Sequence, residues 1–248
     1  MAVAVTKVKE KKPELHALVF EELLSMIVSG RYAQGARLPP ERDLARQLGA
    51  SRPTLREALR RLGEWRLIET RRSSGLVVRP IRDWQFDALP AYLRLGAPQQ
   101  GARVVVRLIQ DLLDVRRLVF VEVLRLVAPR VRPGALDEAR GAVARAWAAR
   151  GDARLFLQED FEFVRGIAAA AEFLPALWLL NSLERTYLAL ATMTSPSMIP
   201  DNYLSTYELV LNSLERGDAD VACRSMLSYL DQHDRRVMNA LSELTLPA

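Results

Sequence analysis

The chain has 248 residues, half of them hydrophobic, and a net charge of +5, enough for two domains of ordinary size with sizeable cores. Its one cysteine, Cys223, excludes an internal disulfide framework and a cysteine-rich zinc site. No run of about 18 uncharged apolar residues, no signal-peptide core at the N-terminus, no phosphate loop and no nucleophile–histidine pair can be found, which points to a reducing, cytoplasmic setting and away from membranes and enzymes.

The charge is uneven. Residues 1–82 hold 17 Lys and Arg against 9 Asp and Glu, a net +8, whereas residues 83–248 hold 18 against 21, a net −3. A basic head on a mildly acidic body fits a head that meets a polyanion; uneven charge on an ordinary soluble surface is the bland alternative. Residues 1–14, with Lys7, Lys9, Lys11 and Lys12, read as a disordered basic tail.

Leu15, Leu18, Val19, Leu23, Met26 and Ile27 share one helical face, which predicts a helix over 15–28 ended by Gly30. Pro39-Pro40 lead into a short helix over 41–48 that turns Leu44, Ala45 and Leu48 inward. Gly49 supplies the left-handed residue after it, and Ser51 caps a further helix with Pro53 in its first turn. Leu55, Ala58, Leu59 and Leu62 form that helix's buried stripe; Arg52, Thr54, Arg56, Arg60 and Arg61 lie on its other face. Two short helices joined by a glycine turn, the second basic at its start, describe a helix-turn-helix. Residues 67–70 and 75–78 read as strands, with Arg71-Arg72-Ser73-Ser74 as the tip of a wing.

The stretch PPERDLARQLGASRPTLREALRRL resembles the winged-helix signature of the GntR superfamily of bacterial transcription regulators, over residues of about 15–80. The resemblance implies that Arg42, Ser51, Arg52, Thr54 and Arg56 meet DNA. By their chemistry, Arg52 is the best bidentate reader of a guanine edge, Ser51 and Thr54 can bond phosphate or base, and Arg42 and Arg56 suit phosphate clamping. Arg71 and Arg72 would be the wing contacts, although the tip RRSSG has one glycine where the family has a Gly-x-Gly-Thr type of turn. Arg60 and Arg61 read as an exposed, solvated face.

Residues 81–83 are the expected linker, and Trp84, Phe86, Leu89, Tyr92 and Leu93 open an all-helical body over 84–248. Helices over 104–128, 134–149, 153–171, 174–193, 202–216 and 218–241 follow, a bundle of about seven helices in all. The fold class expected is therefore mainly α: an N-terminal winged helix-turn-helix with a small β-wing, then a C-terminal all-α bundle. In the helix over 104–128, apolar nearly all round, the row Ile109, Leu113, Arg116, Phe120, Val123, Val127 carries one charge. Arg116 there needs a partner, either a ligand carboxylate or phosphate or a protein acid such as Asp160.

The segments LIQDLLDVRRLVFVEVLRLVAPR, DFEFVRGIAAAA and LERGDADVACRSMLSYL resemble, in order and spacing, the FCD-type sensing domain of the FadR-like branch of that superfamily. Many members of the branch hold a divalent metal with one Asp and three His. Laid onto this chain those positions are Asp160, Val164, Tyr207 and Tyr229, so the resemblance is to a member without metal or other cofactor. Only His16 and His233 occur in the chain. Metal-free members include regulators that bind acyl-coenzyme A thioesters, and the contexts of DFEFVRGIAAAA and Tyr187 (LERTYLAL) are similar to that type. Arg116, Asp160, Arg165, Tyr187, Tyr207 and Tyr229 are the candidate effector residues; for each tyrosine a core ring with a paired hydroxyl is the alternative. The resemblance implies a homodimeric regulator that binds a pseudo-palindromic operator in double-stranded DNA, responds to a small acidic effector and has no membrane partner. A metal-dependent carboxylate sensor of the same family is the alternative.

Overall fold

A computed structural model describes residues 15–189, 191 and 195–245 of the chain; the expected basic tail and the end of the helix expected over 174–193 lie outside the described residues. The chain divides into two compact units, residues 1–99 and 100–248.

In the first unit three helices, α1 (Leu15–Val28), α2 (Glu41–Gln47) and α3 (Arg52–Glu64), precede two strands, β1 (Ile68–Arg71) and β2 (Gly75–Val78). Pro40, extended at φ −53° and ψ 144°, launches α2, and Glu41 and Asp43 sit in its first turn against the helix dipole. Gly49 follows at φ +59°, where a Cβ would be strained. Ser51 then caps α3, its Oγ accepting from the Thr54 N–H at 3.3 Å. Leu55, Ala58, Leu59 and Leu62 bury against Phe20, Leu23, Ile27, Leu38, Leu44 and Leu67. The strands pair antiparallel from Ile68↔Val78 to Arg71↔Gly75, and a bridge from Arg37 to Val77 adds a third edge. The hairpin tip closes in three residues because Gly75 takes φ +72°, so one glycine is enough for this wing.

The expected linker over 81–83 does not separate the units; the division falls at residue 99. After a single turn at residues 81–83, residues 86–100, α4 (Leu89–Ala91) included, form one unbroken helical strap of changing pitch. Ala88 and Ala91 enter the core of the first unit, with Trp84, Tyr92 and Leu95 packed on it. Trp84 Nε1 donates to Arg79 O at 3.0 Å, and its ring meets Tyr92 edge-on at 6.1 Å. At Gly96 a Cβ would lie 2.6 Å from Val28 O, so only glycine lets the strap approach α1 this closely. Apolar residues that sequence reading assigned to the body therefore complete the head.

The second unit contains α5 (Ala102–Val127), α6 (Asp137–Ala148), α7 (Ala153–Ala170), α8 (Leu174–Ala189), α9 (Tyr203–Glu215) and α10 (Ala219–Thr245). Asp152 caps α7 by accepting from the N–H groups of Arg154 and Leu155 at 3.0 and 3.1 Å. Gly166 lets α7 approach α6, where its Cβ would stand 3.2 Å from Ala139. The row Ile109, Leu113, Phe120, Val123 and Val127 of α5 is buried as expected. The helix is not covered all round, however: Val115, Leu118 and Leu126 are exposed.

Candidate functional site

The outer face of the first unit sorts its arginines by what they touch. Arg52 and Arg72 are exposed and have no polar partner among the described residues. Arg42 is exposed, with Asp43 3.7 Å away. Ser51 Oγ and Thr54 Oγ1 lie 2.8 Å apart at the start of α3. Arg56 Nε donates to Glu41 at 2.9 Å, and Arg71 Nε donates to Glu69 at 2.7 Å. Arg60, in contrast, engages Glu57 and Glu64 through all three guanidinium nitrogens, and Arg61 lies over the Phe20 ring at 4.0 Å. The structure thus leaves Arg42, Ser51, Arg52 and Arg56 exposed and Thr54 half-buried beside Ser51, and gives Arg60 and Arg61 structural partners.

The centre of the second unit is a buried carboxylate ringed by phenols. Asp160 on α7 is 5% exposed and accepts from Tyr187 of α8 at 2.6 Å, Tyr203 of α9 at 3.0 Å and Tyr207 of α9 at 2.7 Å. Tyr203 and Tyr207 stack with centroids 4.1 Å apart, and Tyr229 of α10 meets both rings. Burial first, and the Asp160 charge second, push the hydroxyls of Tyr187, Tyr203, Tyr207 and Tyr229 above the ordinary phenol value. They stay protonated and serve as donors. This donor set does not fit a divalent metal: Val164 offers no ligand atom, the phenols hold their protons, and both oxygens of Asp160 already accept hydrogen bonds.

Beside this ring lies a second polar cluster. Arg116 pairs with Asp234, not with Asp160. Its Nη2 also stands 3.2 Å from His233 Nδ1. Arg117 reaches Asp234 at 2.7 Å and Asp231 at 3.1 Å. Burial, reinforced by the Arg116 charge, lowers the His233 pKa and so favours the neutral ring. Burial alone would raise the Asp234 pKa, but its His233 and arginine neighbours outweigh that and hold it low. The Arg116 charge is felt at Tyr187 and Tyr229, and its Nε is buried without a partner among the described residues.

Two family models match the chain: bacterial regulatory proteins of the gntR family over residues 15–78, and the FCD domain over residues 111–232. The chain belongs to the GntR family, as a DNA-binding transcription regulator with an FCD domain. The HTH-type transcriptional regulator Mce2R of Mycobacterium tuberculosis is 26% identical over 90% of this chain and 91% of its own. The galactonate operon transcriptional repressor of Escherichia coli is 27% identical over 85% and 91%. A fatty acid metabolism regulator protein of Pectobacterium carotovorum is 29% identical over 68% and 67%. Among solved structures, Lar, described as controlling the Listeria monocytogenes agr system, aligns over 93% of this chain and 99% of its own with a TM-score of 0.64; at 15% identity it speaks for the fold alone. No helix among the described residues is long and apolar enough to cross a membrane.

Within this GntR-family body, the structure gathers Asp160, Tyr187, Tyr207 and Tyr229 at one centre and sets Arg116 beside it. It does not bring Arg165 there: that guanidinium pairs with Glu162 and Glu184, each at 3.3 Å. Sequence reading missed Tyr203, although it lies one helical turn before Tyr207 and so on the same face. It also missed Asp234, for which only the adjacent His233 gave a hint. Of the two partners open to Arg116, a ligand anion or a protein acid, the structure shows an acid, and it is Asp234 rather than the Asp160 named as an example, whose oxygens three phenols occupy.

Proposed function

We propose that this GntR-family regulator acts as a homodimer, reads a pseudo-palindromic operator with Arg42, Ser51, Arg52, Thr54, Arg56, Arg71 and Arg72, and changes its hold on that operator when a small acidic effector binds the second unit. It is a sensor rather than an enzyme. The observation that carries the DNA reading is Arg52, an exposed guanidinium without a partner among the described residues, in the first turn of a capped α3, where a bidentate reader of a base edge would stand.

The effector reading rests on Arg116. Its Nε is a buried donor without a partner among the described residues, on a guanidinium whose charge is felt at Tyr187 and Tyr229, and a buried donor without an acceptor costs free energy that an entering carboxylate would recover. Relatives named for a galactonate operon and for fatty acid metabolism support carboxylic acids or their thioesters as the class. The ring of phenols around Asp160 supports a metal-free site, and Arg165 drops out of the effector set. For the dimer, the support is apolar surface on α5 and α8, where Leu118 is 65% and Trp178 63% exposed, beside Val115, Leu126, Leu174 and Leu179.

A thermal-shift panel of acyl-CoAs and small organic acids tests the effector. The expected hit raises the melting temperature of the wild type, loses its effect in Arg116→Met and alters operator binding. Stoichiometric zinc, nickel or manganese in the purified protein would refute the metal-free site, and a monomer by light scattering would refute the dimer.

A further inference from the structure

Arg56 and Arg71 share a geometry that Arg60 lacks. Each is held by a glutamate through Nε, Arg56 by Glu41 at 2.9 Å and Arg71 by Glu69 at 2.7 Å. A guanidinium gripped at Nε keeps its two terminal nitrogens, with four of its five N–H donors, for another acceptor. Arg60 has none to spare, because Glu57 and Glu64 occupy Nε and both Nη atoms. Glu41, Arg56, Arg60, Glu69 and Thr70 line one groove of about 310 Å³ between α3 and the wing, with Arg71 next to Thr70 in the chain but outside the lining. Glu69 is itself fixed from behind, since Arg79 reaches its other oxygen at 3.2 Å and Asp83 at 3.1 Å.

These pairs have little to do with stability. Arg56 is 72% exposed and Glu41 41%, and ion pairs so open to water contribute almost nothing to folding. A carboxylate on a DNA-binding face also repels phosphate, so its presence there calls for a compensating role. Preorganisation supplies one: an arginine already fixed in its binding rotamer loses less conformational entropy when it meets its target.

We infer that Glu41 and Glu69 are positioning residues for DNA binding, each holding one arginine by Nε so that its Nη groups face the backbone phosphates of a strand lying along the α3–wing groove. The inference rests on the proposed DNA-contacting set and adds to it two acidic residues that touch no DNA.

Anisotropy titrations of the full chain test this, with a duplex recovered by the wild type from a randomised DNA library and with salt as a second variable. Glu41→Ala is expected to weaken binding roughly 3- to 10-fold, while its melting temperature falls no further than that of Glu41→Gln, which gives up the same first-turn charge. Glu41→Gln, which keeps an acceptor oxygen, is expected to stay within about 2-fold of the wild type on the same reasoning. Arg56→Ala should lower the salt slope by about one, and Glu41→Ala added to Arg56→Ala should cost nothing more, because the glutamate acts only through that arginine. The same pattern is expected for Glu69 with Arg71. Glu41→Ala binding as tightly as the wild type or more tightly overturns the inference, as does additivity of the two changes. A wild type that enriches no sequence from the library overturns the DNA reading as well, and so marks a different failure.

Discussion

Arg52 and Arg116 are the same residue in opposite settings. The first unit presents Arg52 to solvent with nothing to hold it, while the second buries Arg116 against Asp234 and His233. The head keeps positive charge available on its surface for a partner that is itself charged. The centre of the body satisfies its charges internally, Asp160 with phenols and Asp234 with arginines, and among the described residues of the body the Nε of Arg116 and of Arg117 and the Oδ1 of Asn202 are left buried without a partner. Mutations in the head should therefore be felt in binding, and mutations in the centre of the body in folding.

The sharpest way to break that contrast is Asp160→Ala. Three buried phenols would lose their acceptor, a cost on the order of 4 kcal/mol, read as a fall in the urea midpoint; an unchanged midpoint would mean that the ring of tyrosines is not closed on Asp160 in solution. Arg52→Ala should leave that midpoint alone and remove the preference for operator over random DNA, about 1–3 kcal/mol per half-site, in a gel-shift series. Full specificity in that variant would sink Arg52 as the reader.

Arg71→Ala should be milder, weakening binding to all duplexes alike and lowering the salt slope by about one. A change in sequence preference would show instead that the wing reads bases.

The smallest effect concerns pH. Because His233 has a folded-state pKa below its ordinary 6.5, the unfolded chain takes up a proton first as the medium turns acid. Its contribution to stability is complete above 6.5 and is lost as pH falls below that value. Melting temperatures taken downward from pH 7 should fall more steeply for the wild type than for His233→Asn, and parallel curves would contradict the buried neutral ring.

The head was largely legible in the sequence because its signals are local. A proline pair, a glycine at the turn, a serine cap and an i, i+3, i+4, i+7 stripe each act within a few residues, and α2, α3 and the wing stand where those signals put them. Arg60 is exposed as expected, though held by Glu57 and Glu64, whereas Arg61, expected on the same solvated face, is half-buried over the Phe20 ring. The body was legible as helices and poorly as a site. Asp160, Tyr187, Tyr207 and Tyr229 do meet, but Tyr203 joins them from the Tyr207 face at a position that the family ligands do not mark, and the partner of Arg116 comes from α10, 118 residues away. Pairings across a bundle depend on how helices rotate against each other, and a periodic pattern leaves that rotation open. The strap over 81–99 is helical as its apolar residues suggest, but it joins the other core for a related reason: nothing local says which one its aromatic residues enter.

That strap has a practical corollary for anyone isolating the DNA-binding head. The family match stops at residue 78, which invites a cut near residue 80. Such a fragment would be missing Trp84, Ala88, Ala91 and Tyr92, which close the core over α1 and Trp65, and would expose that seam to water and to its neighbours. A fragment ending at 99 carries its own closure, and is the one expected to stay monodisperse and melt cooperatively.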